Sequence, residues 1–267
     1  MAVVYTNENM SEELILLVWD TFFKSRGRGI SFERHFPWAK TASNVWSIEA
    51  VSCGRVIGGL VVREQEIAYD IGIEVVGCIG LVCVHPDYRG KGIANQLFEK
   101  LICNSLIRKY AALTLWTNQH HIYQSKGFVV YDQSVYGTVN FINNENIFKQ
   151  YELTSLPADL GLPPFAKSGN KYLTNTAEIS VLWDDEGGII VNWSGDDESI
   201  ISLIKSVFPK SFRINSCVGC PILRILSIEK CDINVSKSNL QMWLQLNKAV
   251  NIRELEALGR FSVLNRI

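Results

Sequence analysis

The stretch Ile79-Gly80-Leu81-Val82-Cys83-Val84-His85-Pro86-Asp87-Tyr88-Arg89-Gly90-Lys91-Gly92-Ile93-Ala94 decides the reading of this chain. Its first part continues an apolar, β-prone run from Ile73 to Val84 that carries little charge beyond Glu74. Such a run predicts a strand buried on both faces at the centre of a sheet. Pro86 has no N–H to give a ladder and ends the pairing. Two glycines then lead into apolar residues at helical spacing, Ile93, Leu97 and Leu101, which predict a helix from about 92 to 109.

A strand, a glycine-bearing turn and a helix in that order form an anion cradle. The first amides of the helix have no internal partners and lie at the positive end of its dipole. Glycine lets the backbone turn tightly and approach a ligand, whose natural chemistry is a phosphate. Arg89 and Lys91 add positive charge at the rim. The segment is not a Walker loop, because Gly90-Lys91 is followed by Gly92 rather than Ser or Thr. It also lacks the third glycine of the dinucleotide fingerprint.

Working outward, Val3 to Tyr5 predicts an opening strand and residues 11–24 an amphipathic helix capped by Ser11. Ser31 to Trp38 predicts a short second helix ended near Pro37, with Phe32, Phe36 and Trp38 assigned to a core. Val45 to Ser52 and Val56 to Val62 read as a hairpin turning at Cys53-Gly54-Arg55. After the helix come a strand at Leu113 to Trp116, a short helix at His120 to Ser125 and a strand at Phe128 to Val130. Tyr136 to Ile142 is expected to close the unit.

The segment as a whole resembles the CoA-binding motif of the GCN5-related N-acetyltransferases (GNAT). Arg89, Gly92 and Ala94 fill the core of that motif, and the strand ending at Val84, Pro86, Tyr88, Gly90 and Ile93 fit its flanks. Tyr123-Gln124-Ser125-Lys126-Gly127-Phe128 is similar to the family's later motif, a tyrosine four residues ahead of Gly-Phe. The resemblance implies acetyl-CoA as cosubstrate, with its pyrophosphate at Arg89, Gly90, Lys91, Gly92, Ile93 and Ala94. It also implies a pantetheine arm paired with the backbone of Leu81, Val82, Cys83 and Val84. Tyr123 would lie near the sulfur and act as general acid toward the departing thiolate. One departure is that many relatives place an asparagine seven residues before this tyrosine, where this chain has Trp116, and Asn118 is only five residues away.

The implied reaction is direct transfer of an acetyl group from acetyl-CoA to a primary amine, which must lose its proton before it attacks. Backbone donors near Val84 suit the developing oxyanion. The base is left open among Glu74, His85, Asp87 and Glu49, with Glu74 carried forward as a possible base. Cys83 keeps covalent catalysis as a minor alternative. The rival function is a non-catalytic acyl-CoA-binding sensor, and the acceptor, a small molecule or a peptide amine, stays open.

With 26 basic against 27 acidic residues the net charge is −1, which argues against nucleic acid as a partner. No apolar run reaches the roughly 18 residues of a membrane span, and the opening residues lack the pattern of a signal peptide. A cytoplasmic location is expected. The 7 cysteines suit a reducing compartment. Cys217-Val218-Gly219-Cys220 has the spacing of a zinc or redox pair, but no second Cys or His pair stands near it, so ordinary thiols and no metal are expected.

At 267 residues two domains are expected. The proline- and glycine-rich stretch Leu156 to Pro164 reads as part of a linker. The expected division is an acetyl-CoA-binding domain over 1–155, a linker over 156–176 and a smaller domain over 177–267. The fold class is α/β (α+β), a mixed central sheet flanked by helices. The C-terminal part looks like a degenerate copy of the later half of the same fold. Gly188 to Trp193 would match the central strand and the helix at 197–208 the one after the cradle. Asp196, Asp197 and Glu198 stand where the phosphate cradle would be, so no CoA site is expected there. Leu240 to Leu246 reads as a closing strand able to pack on the first domain.

Overall fold

The computed structural model describes residues 2–27, 29–70, 72–142, 150–259, 261 and 263–266. The chain opens with β1 (Val3–Asn7) and α1 (Glu12–Phe22). Ser11 caps α1 by accepting from the Leu14 N–H at 3.1 Å, and Leu14, Ile15, Leu17 and Val18 are buried. The helix expected over 31–38 is interrupted, giving α2 (Phe32–His35) and then a 3-10 turn at Pro37–Ala39. The proline drives Phe36 out of the helical region, to φ −133° and ψ 61°. Next come β2 (Val45–Ser52) and β3 (Arg55–Tyr69), joined where Cys53 and Gly54 both take positive φ, 51° and 72°, as a tight hairpin turn requires. β3 runs seven residues past the expected Val62, through the polar stretch Arg63 to Glu66, whose pairing with β4 (Gly72–Val84) no hydrophobic alternation announces. Then follow α3 (Ile93–Ile107), β5 (Ala112–Trp116), α4 (His120–Gln124) and β6 (Val129–Val130).

The remainder contains β7 (Ser134–Asn140), β8 (Glu152–Ser155), β9 (Ser168–Leu173), β10 (Ala177–Asp184) and β11 (Gly187–Gly195). These are followed by α5 (Asp197–Val207), β12 (Ser211–Cys217), α6 (Pro221–Ile228), β13 (Asp232–Lys237), β14 (Gln241–Gln245) and α7 (Ile252–Gly259).

Two compact units result: Met1–Tyr131 with Leu240–Phe261 and Arg266–Ile267, and Asp132–Asn239 with Ser262–Asn265. Each holds one seven-stranded sheet, ordered β1-β2-β3-β4-β5-β14-β6 in the first and β8-β9-β10-β11-β12-β7-β13 in the second. The two sheets agree position by position. Among the described residues only β4 with β5 and β11 with β12 run parallel; every other neighbouring pair is antiparallel. The helix in each parallel crossover, α3 or α5, occupies the same place in the order of elements.

This topology differs from the expected division at two strands. β7, expected to close the first unit, lies between β12 and β13 in the second sheet. β14 takes the equivalent place between β5 and β6 in the first. The two halves of the chain thus exchange their closing strands, which no local pattern in either strand reveals. The expected linker 156–176 also contributes β9, and the duplication extends over the whole unit rather than its later half. β14 is held firmly: Met242 and Trp243 are fully buried, and Gln241 Nε2 donates to Thr114 Oγ1 at 3.0 Å.

In the first unit Trp46, Ile48, Leu60, Ile79, Leu97 and Leu101 form a core between the sheet and α3. A second core joins Leu14, Val18, Phe36 and Trp38 to Val61 and Cys83. Among the described residues no helix is long and apolar enough to cross a membrane.

Candidate active site

The site begins where two parallel strands part. β4 and β5 pair only at Val76 with Ala112, Gly77 with Leu113 and Cys78 with Thr114, although both strands continue beyond. The cause lies in β4. Gly80 pairs with Val61 and Cys83 with Gly59, so two residues of β4, Leu81 and Val82, face the single Leu60 of β3. This is a β-bulge, and Leu81 carries it with φ 52°, an uncommon conformation for a residue with a side chain. β4 stays bonded to β3 and bends away from β5. Among the described residues the β5-facing edge of 79–84 has no ladder partner, and this gap in the ladder is the opening between the two strands.

The cradle closes one end of the opening. A 3-10 turn at Pro86–Tyr88 follows Val84, and His85 Nδ1 accepts from the Asp87 N–H at 3.3 Å. Gly90 and Gly92 have φ 74° and 77°, and a Cβ added at either would meet no atom within 4 Å. Their backbone conformation, not crowding by protein, is what calls for glycine. The first internal bond of α3 runs from the Gln96 N–H to the Gly92 carbonyl at 3.2 Å, so the amides of Ile93, Ala94 and Asn95 have no partner in the helix. Gly92 supplies no side-chain cap, and no acidic residue stands in the first turn. Fifteen helical residues behind these amides give the dipole its full strength at an open terminus. Arg89 Nε donates to the Val84 carbonyl at 3.1 Å, and Lys91 Nζ lies 5.0 Å from the centre of the Tyr88 ring.

The corresponding helix of the second unit has the opposite chemistry. Asp196 caps α5 by accepting from the Ser199 N–H at 2.9 Å, with Asp197 and Glu198 in the first turn. Its terminus is already satisfied and carries negative charge.

Tyr123 lies on α4. Its ring packs edge-on against Phe98 of α3 at 5.6 Å and against Phe128 at 6.1 Å. Burial raises the pKa of its hydroxyl, so it stays protonated at neutral pH and available to donate. Among the described residues nothing hydrogen-bonds to that hydroxyl. Lys126 Nζ donates to Asn95 Oδ1 at 2.6 Å and ties the end of α4 to the first turn of α3. Trp116, which stands where relatives carry asparagine, stacks at a tilt 6.0 Å from Phe261, under the Arg266 guanidinium. Among the described residues its buried indole nitrogen has no partner, nor has Nε2 of His120.

The candidate bases separate on placement. Glu74 stands half-buried at the start of β4, seven residues before the bulge, or about 23 Å at the rise of a strand. The structure does not bring it to the opening. Glu49 is 3% exposed, but its carboxylate accepts from the Ser11 N–H at 3.0 Å, the Ser11 hydroxyl at 2.8 Å and the Ser47 hydroxyl at 3.2 Å. It anchors the start of α1. His85 and Asp87 lie in the turn directly after Val84, with Nδ1 and Oδ2 3.8 Å apart. Cys83 is buried and its thiol is pushed up to about 12 by desolvation, which removes it as a nucleophile at neutral pH. The sequence does not announce the bulge at Leu81 or the Lys126–Asn95 tie; the bulge sits on an ordinary leucine in an unbroken apolar run.

Against this geometry the comparisons are direct. Residues 41–130 match the family model of the acetyltransferase (GNAT) domain. The chain carries a GNAT acetyltransferase domain. No curated relative matches it in sequence. Among solved structures it is similar to an Enterococcus faecalis protein described as a probable N-acyltransferase, at 12% identity and TM-score 0.66, covering 92% of this chain and 73% of that one. A GCN5-related N-acetyltransferase from Kribbella flavida gives 12% identity and TM-score 0.64 over 92% and 72% of the two chains. Eis1 from Mycobacterium abscessus gives 12% identity and TM-score 0.60 over 91% and 73%. At this identity the likeness establishes the fold over both units of the GNAT-bearing chain.

Proposed function

We propose that the first unit transfers an acetyl group from acetyl-CoA to a primary amine by direct attack. The observation that carries the proposal is the bulged, splayed β4 leading into the uncapped start of α3. The free amides at 93–95, with Gly90, Gly92, Arg89 and Lys91, suit a pyrophosphate. The open edge of Leu81, Val82, Cys83 and Val84 suits the amide groups of a pantetheine arm, which would extend that edge as a further strand does. A thioester at the end of the arm would then lie near the bulge, where a backbone N–H donor would stabilise negative charge on the carbonyl oxygen. The neutral amine's nitrogen bonds to the carbonyl carbon, the carbon–sulfur bond breaks, the Tyr123 hydroxyl supplies a proton to the thiolate, and the proton lost by the amine nitrogen passes to solvent, from which Tyr123 is reprotonated. Buried Cys83 supports a route without an acyl-enzyme.

The rival reading, an acyl-CoA sensor without turnover, draws on one feature: neither Glu49 nor Glu74 is placed as a base. Titration calorimetry with acetyl-CoA, followed by thiol release across a panel of amines, separates the two. Binding with turnover on at least one amine supports the transferase. Tight binding with no release above the hydrolytic blank on any amine supports the sensor, and absence of binding removes both.

A further inference from the structure

The second unit carries a pair of thiols that the acyl-transfer reading leaves unused. Cys217 ends β12 and Cys220 immediately precedes α6, with Val218 and Gly219 turning between them. The Cys220 N–H donates to the Cys217 carbonyl at 3.1 Å. That bond closes a four-residue turn, which holds the two Cα atoms within about 7 Å. Disulfides bridge Cα atoms roughly 4.4–6.8 Å apart. Neither cysteine is in a disulfide; Cys217 is exposed and Cys220 half-buried.

Their environment sets this pair apart from the other cysteines. The Cys217 thiol above all, together with the Ile222 N–H at the start of α6, stabilises the Cys220 thiolate against burial and holds its pKa down at about 6. Desolvation pushes Cys78 and Cys83 up to about 12 and raises Cys231. Cys53 and Cys103 are exposed. Among the described residues no group of three or more His, Cys, Asp or Glu side chains gathers to hold a metal, so the pair lacks the further ligands of a tetrahedral zinc site.

We propose that Cys217 and Cys220 form a reversible dithiol–disulfide site whose reactant is a hydroperoxide. The Cys220 thiolate attacks the terminal peroxide oxygen, the O–O bond breaks, and the alcohol or water leaves with a proton, giving a sulfenic acid on Cys220. The Cys217 sulfur then attacks the Cys220 sulfur, the S–O bond breaks, and water leaves. Two thiols and one hydroperoxide thereby become one disulfide, one alcohol (or water) and one water. An external dithiol restores the pair by exchange.

The test uses the full-length reduced protein, hydrogen peroxide in limiting amount, alkylation of the remaining thiols with iodoacetamide, and peptide mapping. The expected product is a 217–220 peptide that has lost two hydrogens, resists alkylation and regains both thiols on treatment with dithiothreitol. In Cys217→Ser the reaction should stop at a sulfenic acid on Cys220, trapped by dimedone. In Cys220→Ser peroxide consumption at Cys217 should fall by about tenfold or more. Should Cys220→Ser fail to fold, Cys217→Ser, at an exposed strand end, carries the test with the wild-type map. The proposal is overturned if both cysteines remain alkylatable while Cys53 or Cys103 is oxidised. It is equally overturned if dimedone labels Cys220 as fully in the wild type as in Cys217→Ser.

Discussion

Arg89 and Val84 are joined across the turn that ends β4: the guanidinium donates through Nε to the Val84 carbonyl at 3.1 Å. That bond fixes the plane of the guanidinium at the mouth of the cradle, and its two terminal nitrogens have no protein partner among the described residues. Under the proposed function they are the donors offered to a diphosphate. Arg89→Ala should raise the Kd for acetyl-CoA about tenfold, corresponding to about 1.4 kcal/mol. The side chain is exposed, so the melting temperature without ligand should not move. Calorimetry beside thermal denaturation checks both halves, and an unchanged Kd would contradict the assignment of the cradle.

Tyr123 offers a cleaner separation of binding from chemistry. Its ring is held by Phe98 and Phe128, and those contacts survive in Tyr123→Phe. The substitution removes only a hydroxyl that burial keeps protonated. kcat should fall by roughly 100-fold, within the usual range for loss of a general acid, while the Kd for acetyl-CoA stays within a factor of two or so. Equal losses in Kd and kcat would place the hydroxyl in binding instead.

Glu49 and Ser11 make a different kind of prediction. Ser11 caps α1 with its hydroxyl oxygen while its own N–H and O–H both donate to the buried Glu49 carboxylate. Ser11→Ala deletes the cap and strips one donor from a carboxylate that is 3% exposed. The expected loss in unfolding free energy is about 1–3 kcal/mol. Denaturant titration measures it, and a loss smaller than the experimental error would show that Glu49 is solvated by another route.

In the second unit Arg213 donates to the Asp184 carboxylate and, at 2.9 Å, to that of Glu186. The hydrogen bond from Arg213 lowers the Asp184 pKa below its ordinary value near 3.8. A carboxylate with a depressed folded-state pKa stabilises fully above its unfolded value, and the contribution is lost as pH falls through the folded value. The difference in denaturation midpoint between wild type and Asp184→Asn should therefore be constant near neutrality and shrink below about pH 4. A difference that grows on acidification would reverse the sign and refute the pairing.

Much of this was legible in the residues, and the reasons are physical. The cradle could be read because glycine at 90 and 92, proline at 86 and the apolar spacing of α3 each have a local cause. The helix cap at Ser11 and the turn at Cys53-Gly54 are local in the same sense. The bulge was not legible: Leu81 takes its φ of 52° from the mismatch of β4 against β3, a property of the pair rather than of leucine. α7 escaped as well, being eight residues long with Leu255 alone buried among its side chains. Glu74 looked like a candidate base because an isolated carboxylate in an apolar run suggests function, and strand length removes it from the opening. The exchanged strands lay furthest from reach, because neither β7 nor β14 carries a local mark of the sheet it joins, and only the completed sheets distinguish their places.

The exchange leads to the last prediction. A chain ending at Asn239 keeps every residue of the cradle, the bulge and Tyr123, yet lacks β14. Its loss would leave β5 and β6 without their shared neighbour and expose the surfaces that the fully buried Met242 and Trp243 cover. Burial of two such side chains is worth about 3–6 kcal/mol, a large share of the stability of a domain this size. The truncated chain should neither unfold cooperatively nor bind acetyl-CoA, and adding residues 240–267 as a separate peptide should restore binding in part. A single Trp243→Ala substitution in the full chain, costing about 3–5 kcal/mol, should lower the melting temperature and acetyl-CoA occupancy together. If instead the chain ending at Asn239 binds acetyl-CoA with unaltered affinity, the closing strand of the first sheet is dispensable, and the site stands on β1 to β6 alone.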